Sequence, residues 1–189
     1  MSLFNFIKNL NKKRKNLRKE NKEILKRKSI IESVENNSVG TNYSTFYDTN
    51  NILSKLCEKH GTDKGYIEFE KKTPYGWRPH SYSIYYNALF SHCRKDIKLI
   101  LECGIGSNNL DVESNMTTKG KPGASLRVWK EYFDNAQIIG ADIDKRILFQ
   151  EDRISTYEVN QLDPSSIKNM WSKIKHNNFD IIIDDGLHT

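Results

Sequence analysis

Four short apolar runs stand out in the second half of the chain, and segments with helical spacing separate them. The runs span residues 98–102, 137–141, 153–159 and 179–183. The helical segments place apolar side chains every three or four residues: Leu126, Trp129, Tyr132 and Phe133, then Ile167, Met170, Trp171 and Ile174. Strands that alternate with helices predict a parallel sheet, and such sheets bind ligands at the carboxyl ends of their strands.

The first predicted strand runs directly into a glycine-spaced turn, Glu102-Cys103-Gly104-Ile105-Gly106. Residues 108–122 form an insertion, and Ser125 then opens the next helix. Glycines let backbone approach a nucleotide-like ligand, and free N–H groups at a helix start favour its polar or anionic atoms. The third glycine of a dinucleotide fingerprint is replaced here by Asn109, which argues against NAD.

Acidic residues follow the second and third strands. Asp142 ends the second strand, where a carboxylate can accept hydrogen bonds from both hydroxyls of a ribose. Asp144 is a weaker candidate for binding the ribose, because it could equally cap the following turn. Asp163 precedes Pro164 at a helix start, which is typical of an N-cap. The same carboxylate can also face an adenine amino group, and both interpretations stay open.

The fourth strand ends in Asp184-Asp185-Gly186-Leu187-His188. Carboxylates bind divalent metals through hard oxygen ligands, and histidine accepts protons near neutral pH. Packing does not explain two acids and a histidine at one strand end. The run therefore indicates metal or acid–base chemistry.

The segment before the first strand predicts two helices. Ile52, Leu53, Leu56 and Cys57 share a face of the first helix, which Gly61 ends, and the polar loop 61–65 is interpreted as a C-cap and turn. Ser81 is expected to cap the second helix. One side of that helix is aromatic and apolar, and we interpret this side as core: Tyr82, Tyr85, Tyr86, Leu89, Phe90 and Cys93.

Residues 1–35 are predicted to form a basic amphipathic helix, and residues 36–47 a linker. Residues 1–30 have a net charge of +9, whereas the rest of the chain has −3. Nucleic-acid binding by the acidic body is therefore not expected. Three interpretations of the helix stay open: a solvated helix, a coiled-coil or partner-docking helix, and attachment to an anionic membrane surface.

The cysteines and the hydropathy of the chain argue against several classes of protein. The three cysteines show no C-x-x-C spacing, so a disulfide framework or zinc site is not expected. No apolar run approaches 18 residues, and no signal peptide is recognisable. We expect a cytoplasmic protein, with the basic helix as the segment able to contact the inner membrane surface.

Three stretches together resemble class I S-adenosylmethionine-dependent methyltransferases: 102–106, 140–144 and 183–188. More narrowly, the chain is similar to mycinamicin/macrocin-type sugar O-methyltransferases and related bacterial enzymes of surface-polysaccharide biosynthesis. Residues 61–65, 123–129 and 152–154 extend this similarity. The resemblance covers about residues 52–189. It implies an α/β, Rossmann-like methyltransferase domain at 48–189, with helices on both faces of a parallel sheet.

The resemblance also implies roles for individual residues. Asp142 is implied to bind the ribose of S-adenosylmethionine, with Gln161 and Asp163 near its adenine. The rest of the cofactor bed is implied to be Glu102, Gly104, Gly106 and Ser125. Asp185 is implied to bind a Mg²⁺-type ion, and His188 to be the general base. A metal on the acceptor oxygens would lower the hydroxyl pKa, so that His188 can take the proton.

The resemblance implies methylation of a sugar hydroxyl or related group in capsule or surface-glycan biosynthesis. The family's fold continues with three more strands after the fourth, and these include the acidic pair expected to complete the metal site. We therefore expect a truncated, weakly active or inactive form whose four strands have the order 3-2-1-4. Two alternatives stay open: a methyltransferase with a non-sugar acceptor, and a non-catalytic cofactor-binding or partner-docking fragment.

Overall fold

The computed structural model describes residues 48–65, 75–176 and 178–187. The predicted basic helix and linker, and His188, lie outside these residues. Four helices are present in the described part: α1 (Ile52–His60), α2 (Tyr82–Phe90), α3 (Ala124–Tyr132) and α4 (Pro164–Lys173). The strands are β1 (Leu99–Cys103), β2 (Gln137–Asp142), β3 (Gln150–Glu151), β4 (Ile154–Glu158) and β5 (Ile181–Asp184), and a short 3₁₀ turn spans Lys145–Ile147.

The strands form one sheet in the order β3-β4-β2-β1-β5. β1, β2, β4 and β5 are parallel to one another. They correspond to the four predicted strands in chain order, so the predicted order 3-2-1-4 is confirmed. The two-residue β3 was not predicted. It pairs antiparallel with β4 across a turn in which Arg153 has a positive φ of 57°. Two residues are too few for a hydrophobic pattern to reveal a strand.

Helices cover both faces of the sheet, so consecutive residues of a strand are buried on opposite sides. Ile100 and Ile138 join the core formed with α1 and α3, in which Trp129 is among the largest buried side chains. Leu101 and Ile139 join the second core, which includes Met170 of α4. Two covered faces explain the nearly continuous apolar runs of the inner strands.

Helix α2 departs from the sequence prediction at its start. Ser81 makes no side-chain cap and has a φ of 59°. Backbone bonds to the loop 61–65 hold the start of the helix instead: Ser81 N donates to Gly65 O (3.1 Å), and Ser83 N donates to Lys64 O (2.8 Å). This loop therefore does more than end α1, because it also places α2.

The interpretation of the aromatic side of α2 as core is wrong for its outward residues. Tyr82, Tyr85 and Leu89 are 39%, 56% and 57% exposed. Tyr86 and Phe90 pack against the core as predicted. Among residues 48–187, where described, no helix is both long and apolar enough to cross a membrane.

Candidate functional site

A cleft of about 670 Å³ lies at the carboxyl ends of β1, β2, β4 and β5. Its volume falls within the roughly 300–1,000 Å³ typical of small-molecule sites. Gly104 contributes to its wall after β1, Ile143 after β2, Leu162 after β4 and Leu187 after β5. The cleft thus occupies the position that a parallel sheet favours for ligand binding.

The charged side chains that line the cleft are all acidic in the part of the chain described: Glu113, Asp142 and Asp184. No lysine or arginine of that part contributes to the wall. Carboxylates that face one cleft favour a cation and repel phosphate. The electrostatics therefore fit a positively charged ligand better than a dinucleotide.

Asp142 joins the turns after β1 and β2. Its Oδ2 accepts a hydrogen bond from Ile105 N (2.8 Å), and its Oδ1 accepts one from Asp144 N (2.9 Å). The side chain is largely buried yet still contributes to the cleft wall. The structure therefore places Asp142 where the sequence predicts a ribose ligand, and fixes its orientation through backbone donors.

Asp144 is the cap that the sequence allowed, since its Oδ1 accepts a hydrogen bond from Arg146 N (3.2 Å) at the 3₁₀ turn. Ser107 Oγ (2.6 Å) and Asn109 Nδ2 (2.8 Å) donate to its Oδ2. The hydrogen bond from the Arg146 side chain is the main reason that the pKa of Asp144 lies well below its usual range. Asn109, which replaces the third glycine, thus ties the glycine turn to the turn after β2.

The two glycines of the turn have left-handed φ values, +80° for Gly104 and +82° for Gly106. A Cβ on Gly104 would lie 2.6 Å from the carbonyl oxygen of Asp185, and one on Gly106 would lie 2.4 Å from Met116 Sδ. Packing against the backbone of Asp185 therefore requires a glycine at position 104, whereas at position 106 the left-handed φ favours glycine and the Met116 side chain could move. Gly104 also contributes to the cleft wall, whereas Gly106 does not.

Glu102 and Ser125, both predicted to contribute to the cofactor bed, do not line the cleft, and their role toward the cofactor stays a prediction. Glu102 is completely buried, with an exposed fraction of 0%, and Trp129 Nε1 donates to its Oε2 (2.8 Å). Burial raises the pKa of Glu102, while the charge of Lys64 and hydrogen bonds from Ser125 and Trp129 oppose that rise. Both residues thus belong to the buried support of the turn.

Lys64 is the residue that sequence reasoning missed. Its side chain is 3% exposed, and its ammonium lies 3.2 Å from Glu102 Oε1 and also forms an ion pair with Asp185 Oδ2. Burial alone would lower the pKa of Lys64, but the charges of Glu102 and Asp185 outweigh it and hold the pKa above its usual range. Polar loops are normally solvated, so the residue pattern of the loop 61–65 does not predict a buried lysine. The sequence indicated a role for this loop only through its resemblance to the sugar O-methyltransferases.

Asp185, the predicted magnesium ligand, is therefore paired with a lysine. Within the described residues, no group of three His, Cys, Asp or Glu side chains is placed to hold a metal ion. These residues alone do not fit a Mg²⁺ site, because a cation of the protein already neutralises one oxygen of Asp185. The predicted base, His188, lies outside the described part.

Gln161 and Asp163 separate in the structure. Gln161 lines the cleft, and its Nε2 donates to Asp184 Oδ1 (3.2 Å), which links the loops after β4 and β5. Asp163 is the N-cap of α4: its Oδ1 accepts a hydrogen bond from Ser165 N (2.9 Å), with Pro164 in the first turn. The N-cap interpretation is therefore confirmed. Asp163 does not line the cleft, and its contact with the adenine stays a prediction.

Comparison of the sequence with curated proteins finds sugar O-methyltransferases of antibiotic biosynthesis. The 8-demethyl-8-alpha-L-rhamnosyl tetracenomycin-C 2'-O-methyltransferase of Streptomyces olivaceus is 30% identical over 136 residues, which are 72% of this chain and 30% of the relative. The demethylmacrocin O-methyltransferase of Streptomyces fradiae is 32% identical over 132 residues, 70% of this chain and 31% of the relative. No protein-family model matches the chain.

Comparison with solved structures agrees. The MycE methyltransferase from the mycinamycin biosynthetic pathway, in complex with Mg and SAH, matches with a TM-score of 0.52 and 29% identity, over 72% of this chain and 32% of that protein. Its complex with Mg, SAH and mycinamycin VI gives the same TM-score and identity. The described domain thus has a Rossmann-like methyltransferase fold. The chain spans about a third of the length of these relatives.

Proposed function

We propose that this chain, a relative of S-adenosylmethionine-dependent methyltransferases, transfers a methyl group from S-adenosylmethionine to a sugar hydroxyl. The observation that supports this best is the cleft at the strand ends, whose charged side chains are Glu113, Asp142 and Asp184. S-adenosylmethionine brings a sulfonium and an ammonium group, whereas the phosphates of NAD would be repelled. The similarity to sugar O-methyltransferases supplies the acceptor class.

Asp142 and Gln161 contribute through their positions in this cleft, and His188 contributes through its proposed role as the base. S-adenosylmethionine supplies an electrophilic methyl group on its sulfonium. Asp142, oriented by the Ile105 and Asp144 amides, accepts hydrogen bonds from the ribose hydroxyls. Gln161 has amide groups at the wall of the cleft for the adenine. His188 takes the proton of the acceptor hydroxyl as the new oxygen–carbon bond forms and the sulfur–carbon bond breaks.

Asp185 is the residue predicted to bind Mg²⁺. The MycE complexes contain Mg. Here the described residues lack a complete ligand set, and Lys64 already pairs with Asp185. The proposed steps therefore use no metal, and a Mg²⁺ titration of the chain measures whether Asp185 binds one.

The proposal also includes the kind of molecule that carries the acceptor sugar. We place the acceptor sugar on a precursor of a bacterial surface glycan, on the basis of the sequence resemblance. The excess of +9 charges in residues 1–30 supports contact with an anionic membrane surface where such precursors are assembled. A liposome pull-down that is salt-sensitive and is lost on deletion of residues 1–30 would support this placement.

Isothermal titration calorimetry of the chain tests the proposed function. S-adenosylmethionine and S-adenosylhomocysteine should each give a saturable heat, and NAD⁺ at the same concentration should give none. Asp142→Ala should abolish binding while circular dichroism still reports a folded domain. His188→Ala should bind S-adenosylhomocysteine as the unaltered chain does. Equal binding of NAD⁺ would contradict the proposal, and loss of binding in His188→Ala would contradict the assignment of the base.

A further inference from the structure

Three aromatic side chains form a continuous row along the start of α2. We call His80, Tyr82 and Tyr86 the aromatic row. The ring centroids of His80 and Tyr82 lie 5.2 Å apart, and those of Tyr82 and Tyr86 lie 6.3 Å apart. The His80 side chain is 47% exposed, and Tyr82 is also exposed. Large aromatic rings that contact one another at the surface are typical of recognition sites.

The aromatic row leads from solvent to the buried charges beside the cleft. The Tyr86 ring meets the Trp129 ring edge-on at 5.4 Å, and Trp129 donates to Glu102. Burial raises the pKa of Tyr86, and the charges of Lys64, Glu102 and Asp185 also act on it. Glu102 pairs with Lys64, and Lys64 pairs with Asp185, whose two chain neighbours line the cleft, so a series of contacts joins Tyr86 to the edge of the cleft.

Hydrogen bonds hold the His80 end of the aromatic row and the helix that carries the two tyrosines. His80 N donates to Asp63 O (2.7 Å), and His80 Nδ1 lies 3.7 Å from Asp63 Oδ2. Trp77 Nε1 donates to the same Oδ2 (3.0 Å). The buried hydroxyls of Ser54 and Ser83 share a hydrogen bond (2.8 Å) that joins α1 to α2. A backbone held in this way loses little conformational entropy on binding.

We propose that the aromatic row binds the sugar ring of the methyl acceptor. This inference rests on the proposed function and assigns it a substrate surface. A pyranose has an apolar face of C–H groups and an edge of hydroxyls. The rings of Tyr82 and Tyr86 offer the apolar contact, and the His80 imidazole and the tyrosine hydroxyls offer hydrogen-bonding groups beside it.

Saturation-transfer-difference NMR with methyl α-L-rhamnopyranoside tests the inference on the full chain. Saturation of the aromatic protein resonances should reach the ring C–H protons of the sugar. Tyr82→Ala should lower this transfer at least fivefold. Tyr82→Phe should retain most of it, because stacking uses the ring. Tyr85→Ala is the matched control, since Tyr85 is an exposed tyrosine of the same helix outside the aromatic row, and it should leave the transfer unchanged.

Three results would overturn the inference: no transfer in the unaltered chain, equal transfer in Tyr82→Ala, or an equal loss in Tyr85→Ala. Sedimentation that shows a dimer lost in Tyr82→Ala, without sugar transfer, would identify the row as an interface between copies. Calorimetry with S-adenosylhomocysteine on the same proteins separates this inference from the proposed function. Tyr82→Ala should bind that ligand normally, whereas a failure of the proposed function would remove its binding from the unaltered chain.

Discussion

Two acidic regions lie side by side at the carboxyl ends of the strands, and they differ in how their charge is balanced. In the cleft, Glu113, Asp142 and Asp184 face a cavity without a lysine or arginine of the described chain on its wall. In the neighbouring buried network, the buried Glu102 and the partly exposed Asp185 share the ammonium of Lys64. The wall of the first region carries no basic side chain among the described residues, whereas the second region contains its own counter-charge in Lys64.

This contrast distinguishes acidic residues that can bind a ligand from acidic residues that stabilise the fold. A buried carboxylate without a partner is costly, so Glu102 requires Lys64, Trp129 and Ser125 for its own stability. An exposed carboxylate at the wall of the cleft, such as Glu113, has no such requirement. Changes in the buried network should therefore affect mainly folding, and changes in the cleft should affect mainly ligand binding.

Lys64→Met should have the largest effect on stability, because it leaves Glu102 buried without its cation. Breaking a buried ion pair costs about 3–5 kcal/mol of unfolding free energy. Urea denaturation followed by circular dichroism measures the loss. Lys55→Met is the matched control on the exposed surface of α1 and should change stability by less than about 0.5 kcal/mol. Similar values for the two variants would show that the network is not buried as described.

Trp129→Phe should rank next, since it removes the indole donor to Glu102 Oε2. A buried acceptor left without its donor costs about 1–3 kcal/mol, and the smaller ring adds a packing loss. The same denaturation experiment applies. Trp171→Phe, at a partly exposed tryptophan of α4, is the control and should cost clearly less. An equal cost at both sites would contradict the role of the hydrogen bond.

Glu113→Gln should show the opposite pattern, with stability nearly unchanged and ligand binding weakened. Glu113 is exposed at the cleft wall, so its removal should change the unfolding free energy by less than about 0.5 kcal/mol. Affinity for S-adenosylmethionine should fall by roughly two- to fivefold, in line with an exposed charge interaction. The neutral thioether S-adenosylhomocysteine should lose less affinity in calorimetry. Equal losses for both ligands would show that charge is not the cause.

Asp144 gives the smallest predicted effect, which appears only in acid. Its pKa is lowered chiefly by the Arg146 side chain, so its stabilising contribution is present above its usual pKa of 3.8 and is lost as the pH falls below that value. Asp144→Asn should therefore show a smaller loss of stability between pH 4 and pH 2.5 than the unaltered chain. Asp152→Asn, at an exposed acid, is the control and should retain the full loss.

The sequence predicted the sheet well, because Ile100 and Leu101 are buried on opposite faces and make the strand apolar throughout. It also located the acidic strand ends, since Asp142 and Asp184 directly follow such runs. It failed for Lys64 and for the outward tyrosines of α2. Burial of Lys64 depends on Glu102 and Asp185, which are 38 and 121 residues away in sequence, and no local pattern reports such a contact. Exposure of Tyr82 depends on how the loop 61–65 places the helix.

Titration of the full chain with S-adenosylhomocysteine, followed by ¹H–¹⁵N correlation NMR, tests the central claim most directly. The account predicts that the largest shifts occur at the backbone amides of Gly104, Ile143 and Gln161 in the cleft. The indole N–H of Trp129, in the buried network, should shift much less. Absent shifts, or shifts centred on Trp129 rather than on the cleft, would contradict the account.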